Sequence, residues 1–186
     1  TPKSTELVAD HERYDDRDKA TEHFEEGLHK VFAQLNSRLA EGFPMTVYYA
    51  FKQQDLVTQG EVDSNTSSTG WETILESIIR ANYAIEGTWP MRTERTSRTR
   101  SLGSNALASS IVLVCRPRNE NIRNVSRRDF INALRKEIPE SLKTMQSGNI
   151  APVDLAQASI GPGMAVYSRY RKVLNPDGSR LTVRTA

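Results

Sequence analysis

Residues 88–118 limit the architecture more than any other part of the chain. A strand-forming segment ends near Trp89-Pro90 and passes into a loop that carries Arg92, Arg95, Arg98 and Arg100. Gly103-Ser104-Asn105 then leads into the all-apolar run Ile111-Val-Leu-Val-Cys115. Two strands joined by a segment with no helical period are expected to pair antiparallel. Four guanidinium groups at a sheet's end suit a nucleic-acid partner, because phosphates attract cations and unstacked bases lie on aromatic rings. A solvated loop with arginines kept for solubility is the rival reading.

The segments before this stretch supply the other layers. Phe24, Leu28, Val31, Phe32, Leu35 and Leu39 recur at helical spacing and predict a helix over 19–41, stopped by Gly42 and Pro44. Gly27, beside that stripe, predicts close packing against a sheet. Residues 45–51 are β-branched and aromatic with almost no alternation, the pattern of a strand covered on both faces in a parallel sheet. Tyr48 and Tyr49 are then core residues. Thr69-Gly-Trp-Glu72 fits a capping box that opens a helix with Trp71, Ile74, Leu75, Ile78 and Ile79 on one face. A strand follows over 84–91, where Trp89 alternates with Ile85 and Gly87 and so reads as core rather than as a stacking platform. The order is helix, buried strand, helix, strand, long loop, strand.

From Asn119 the character becomes helical. Ser126 and Asp129 can cap a helix that turns Phe130, Ile131, Leu134 and Ile138 inward, with a break or kink at Pro139, after which Leu142 and Met145 continue it to Gly148. A short helix over 152–160 is expected to end at Gly161-Pro-Gly163, and Asn175-Pro-Asp-Gly178 is a turn. The expected fold class is α/β: the second half of a doubly wound, Rossmann-like sheet that ends in an antiparallel strand pair (1–118), with a C-terminal helical extension (119–186).

Charge is uneven although the net charge of the 186 residues is only +2. Residues 6–26 hold nine acidic side chains against three basic ones, whereas residues 92–128 hold nine arginines against Glu94 and Glu120. One surface facing an anion accounts for this, as do two oppositely charged solvated segments. No apolar run reaches the length of about 18 residues that spans a bilayer, and no leader-like segment opens the chain, so a cytoplasmic protein without a membrane partner is expected. The single cysteine, Cys115, excludes an intrachain disulfide, and the spacing of His11, His23 and His29 gives a metal site no support. The start at Thr1 and the stop soon after Leu181-Thr-Val-Arg184 read as a piece of a longer protein.

Several stretches carry a resemblance: TPKSTELVAD, HFEEGLHKVF, TVYYAFKQ, STGWETILESII, GTWPMRTE, GSNALASSIVLVCRPR, GNIAPVDLAQASIGPGMAVYSRY and the closing TVR. Together they resemble a bacterial and archaeal family of large adenine-specific DNA methyltransferases, many described as containing a zinc ribbon. The likeness runs almost end to end and implies the C-terminal half of a class I catalytic domain, which closes with a buried strand, a helix, a strand, a loop and an antiparallel strand. It implies S-adenosylmethionine as the methyl donor in the full-length protein, DNA as the partner, and a restriction-modification or phage-defence setting.

The glycine-rich donor motif and the Asp-Pro-Pro-Tyr-type catalytic motif of that family are not in this sequence. Gly161-Pro-Gly163 follows no strand, and there are no paired cysteines for a ribbon. The chain is therefore expected to contribute DNA-side surface rather than the donor site, and to be inactive alone. The alternative is a non-catalytic DNA-binding or assembly module that pairs with a separate catalytic chain.

Within either reading, Arg92, Arg95, Arg98 and Arg100 are the candidate DNA contacts. Asn105 is a further one, with turn formation as its rival role. Lys52 and Gln53 follow the apolar strand at its carboxyl end, where doubly wound sheets place ligands, and border the substrate crevice unless they are an ordinary strand-end pair. No catalytic residue is assigned. A central strand without its neighbour would leave an edge free for self-association.

Overall fold

The computed structural model describes residues 6–8, 11–14, 16–49, 69–92, 109–119, 121–147 and 160–186. The architecture is mixed α/β, a three-stranded antiparallel sheet with helices packed on one of its faces. A short helix α1 (His11–Tyr14) precedes α2 (Arg17–Arg38), which starts where the Asp16 carboxylate accepts the Asp18 amide at 2.9 Å. The chain continues through β1 (Met45–Tyr49), α3 (Thr69–Arg80), β2 (Tyr83–Arg92) and β3 (Ser109–Pro117), in the expected order. Beyond these come β4 (Val125–Ser126), α4 (Arg127–Ser147), α5 (Ile160–Ser168), β5 (Val173–Leu174) and a 3₁₀ turn at Val183–Thr185.

The strand order is β1-β3-β2, with β3 antiparallel to both neighbours. β1 and β2 therefore run in the same direction. Ile111, Leu113 and Cys115 of β3 point to the covered face, where they meet Trp71, Ile74, Leu75, Ile78 and Ile79 of α3 in one buried cluster. Phe130 of α4, Met164, Val166 and Tyr167 of α5, Val173 and Leu181 belong to that same cluster. Residues on either side of Asn119 thus share one core, and the extension is not purely helical: β4 and β5 form a parallel pair.

Polar anchors close the joints between elements. Asn36 donates from its side-chain amide to the Ala81 carbonyl at 2.7 Å, which fixes the end of α2 against the turn that follows α3. That turn holds Asn82 at φ 63°, a left-handed conformation that asparagine tolerates better than most residues. Arg118 donates to the carbonyls of Tyr170 (3.0 Å), Ser168 (3.5 Å) and Ile79, so its guanidinium joins the ends of α3 and α5. Burial, and then the nearby Arg180 charge, push the Arg118 pKa down from its ordinary value.

Several expectations need correction. β1 is not covered on both faces: it alternates, and Tyr48 is 63% exposed. Trp89 is not core either, at 56% exposure, because an irregularity at Glu86 changes the phase of β2. Ile85 stands opposite Cys115 and Gly87 opposite Val114, so the alternation that begins at Ile85 on the covered face continues with Thr88 rather than with Gly87 or Trp89. Gly27 packs against the Leu7 side chain and not against a sheet. Pro139 lies inside α4, which runs on through Leu142 and Met145 to Ser147 without a break, as the continued pattern implied. Gly161-Pro162-Gly163 is no break: it forms the first turn of α5, where a proline without an N–H is tolerated.

Candidate nucleic-acid interface

The sheet's topology decides where the sequence-predicted residues depart. Tyr49 is opposite Ile111 and Arg92 is opposite Ser109, so the carboxyl ends of β1 and β2 and the start of β3 lie at one end of the sheet. Lys52 and Gln53 follow β1 from that end, and the arginine segment leaves β2 there. Arg92 closes β2 through its backbone pairing; its side chain lies outside the described residues. Lys52, Gln53, Arg95, Arg98, Arg100 and Asn105 lie outside them as well.

What periodicity missed is the second face of the sheet. Tyr48 and Trp89 flank Val112 from opposite sides in one cross-strand row, and Met91 stands opposite Ser110 in the next. Both rings and the thioether are exposed, while Val112 between them is covered. Gly87 makes the position of the indole possible: a Cβ there would sit 2.5 Å from the Trp89 ring. The signal for this face was present in the alternation of β2, but a β-bulge leaves no mark in apolar spacing. On the same face Arg116 donates to the Glu86 carboxylate at 2.8 Å and to the Gly42 carbonyl at 2.7 Å, clamping the irregular point of β2 to its neighbours.

Cys115 is fully buried, and burial together with the Glu86 charge pushes its thiol up to about 12, which keeps it protonated and unreactive. The Tyr49 phenol, stacked on Trp71 at 5.7 Å, is raised by burial as well. No three His, Cys, Asp or Glu side chains gather as a metal-holding group among the described residues. No helix among them is long and apolar enough to cross a membrane.

Among the described residues no glycine-rich turn after a strand offers a cradle for S-adenosylmethionine. The one Gly-x-Gly of the chain follows no strand: it lies in the first turn of α5, where the Thr88 side chain fills the space beside Gly161 while that beside Gly163 is open. No family model, curated protein or solved structure matches the chain.

Proposed function

We propose that this chain is the DNA-facing part of an S-adenosylmethionine-dependent methyltransferase that modifies the amino group of adenine. The observation that carries the reading is the strand arrangement: β1, a crossover through α3, a parallel-running β2, and β3 returning antiparallel between them. The catalytic domain that the sequence resembles closes with this order of buried strand, helix, strand and antiparallel strand. The resemblance and this strand order together support reading the sheet as part of a Rossmann-like one, with β1 at the edge of the described sheet.

The division of labour follows from the residues. Donor binding and presentation of the target amino group belong to polypeptide that carries the motifs absent from this sequence. An adenine must leave the duplex to be modified, at a cost of a few kcal/mol, so DNA has to be gripped outside the reacting centre. Arg92, Arg95, Arg98 and Arg100, leaving the carboxyl end of β2, supply cationic contact to that distorted backbone, and Lys52 and Gln53 border the crevice beyond β1.

Two measurements test the reading. Calorimetric titration of the 186-residue chain with S-adenosylmethionine is expected to show no binding. Labelled methyl transfer by this chain joined to polypeptide bearing the Asp-Pro-Pro-aromatic motif is expected to mark adenine in DNA. Transfer to RNA or protein instead, or to no acceptor, overturns the proposal.

A further inference from the structure

A second cationic surface lies on the far side of the molecule's sequence, where the parallel pair β4–β5 meets the start of α4. The Arg171 amide donates to the Arg123 carbonyl at 3.1 Å, and the Val125 amide to the Lys172 carbonyl at 3.0 Å. This pairing places Arg123, Arg171 and Lys172 beside one another. Arg127 and Arg128 follow β4 directly and line a cleft of about 290 Å³, opposite Leu174, Asn175 and Pro176. All five cations are exposed, and none of their side chains forms an ion pair or hydrogen bond among the described residues. The neighbouring carboxylates are engaged in their own turns: Asp129 accepts from Ser126 at 2.7 Å, and Asp177 accepts from Ser179 at 2.6 Å.

The placement works against folding. Arg127 and Arg128 occupy the first turn of a 21-residue helix, whose amino end carries partial positive charge and favours anions. A fold has no use for two unpaired guanidinium groups there, whereas an external polyanion has. We infer that this surface binds the phosphate backbone of duplex DNA, seating one phosphodiester stretch in the cleft over Leu174 and Pro176 while the flanking cations reach adjacent phosphates. The choice of DNA as the anion rests on the function proposed above. The cluster gives the residues after Asn119 a role: a second grip, on an element separate from the arginine segment that follows β2.

The test is fluorescence anisotropy of a labelled DNA duplex titrated with the 186-residue chain at several salt concentrations. The triple variant Arg127→Ala, Arg128→Ala, Lys172→Ala is expected to lower the slope of log affinity against log salt by about 2–3, since each lost phosphate contact removes about 0.9. Its melting temperature is expected to be unchanged or raised, so weaker binding is not unfolding. Arg127→Lys with Arg128→Lys, which keeps the charge, is expected to retain the slope. An unchanged slope in the alanine variant overturns the inference, as does binding of duplex RNA with none of duplex DNA. Methyl transfer is read independently: an altered slope without transfer leaves this surface standing and removes the enzyme reading, and transfer with an unaltered slope does the reverse.

Discussion

Arg118 joins two pieces of backbone, the end of α3 at Ile79 and the end of α5 at Ser168 and Tyr170. A planar fork can serve several carbonyls at once, which an ammonium on a flexible stem cannot. Replacing Arg118 with alanine is expected to cost about 3 kcal/mol in urea unfolding, from the two shorter charge-assisted bonds, to Ile79 and Tyr170, at about 1.5 kcal/mol each, the longer one to Ser168 adding little. Arg118→Lys should recover only part of the loss, and full recovery would show that charge alone matters there. Glu137 and Arg169 make a different kind of pair, bidentate at 2.8 and 2.7 Å and partly exposed. The Arg169 hydrogen bonds hold the Glu137 carboxyl below its ordinary value. Its contribution is therefore complete above the unfolded carboxylate range near pH ~4.3 and disappears as pH falls through the lower folded value. Solvent screening limits it to about 0.5 kcal/mol. Glu137→Gln should be less stable than the parent by that amount at neutral pH, and the difference should vanish in acid.

At the scale of elements, the edge of β2 shows how one irregular residue redirects a sheet. The Ile85 amide donates to the buried Ser168 hydroxyl at 2.8 Å, so the outer edge of β2 is closed by α5 rather than by another strand. Gly161 brings α5 close enough for this, because a side chain there would enter Thr88. Gly161→Ala is expected to destabilise the fold by about 1–3 kcal/mol through overpacking. Thr88→Ala should relieve part of that cost in the double variant, a coupling that a double-mutant cycle in urea would measure. These contacts mark the limit of what spacing reveals. The chain order of β1, α3, β2 and β3 and the antiparallel β2–β3 pair followed from apolar periods and from the lack of one between Arg92 and Ser109, whereas β1, read as a parallel-sheet strand, pairs antiparallel with β3. The phase change at Glu86 did not, because a bulge is set by backbone geometry and edge partners distant in sequence. It carried Trp89 to the open face and Thr88 inward. Gly161-Pro-Gly163 misled for a related reason: glycine and proline read as helix breakers until the close approach to Thr88 is seen. The basic cluster at β4–β5 was hidden because Arg171 and Lys172 lie more than forty residues from Arg123, Arg127 and Arg128. The pairing of β4 with β5, and the backbone bonds beside it, join them.

For the whole molecule, the decisive asymmetry is between the two faces of the sheet. Helices α3 and α5 cover one, while Tyr48, Trp89 and Met91 leave ring and thioether surface on the other. Beside that face, β1 stands at the edge of the described sheet, paired with β3. An uncharged edge, Met-Thr-Val-Tyr-Tyr, next to exposed aromatic surface has none of the charges that keep strand edges apart. On the methyltransferase reading proposed above, a further strand would occupy it. In the 186-residue chain by itself, a second copy is the nearest substitute, two β1 edges pairing antiparallel across a twofold axis. Sedimentation velocity is therefore expected to show concentration-dependent dimers or larger species. A charge at the edge should oppose this without touching the covered core: Tyr48→Lys, alone and with Trp89→Lys, is expected to shift the distribution to monomer with little change in melting temperature. A parent chain that sediments as a monomer at every concentration would mean that β1's outer edge is already satisfied. The half-sheet would then be complete in itself, and the case for a missing neighbouring strand would lose its physical basis.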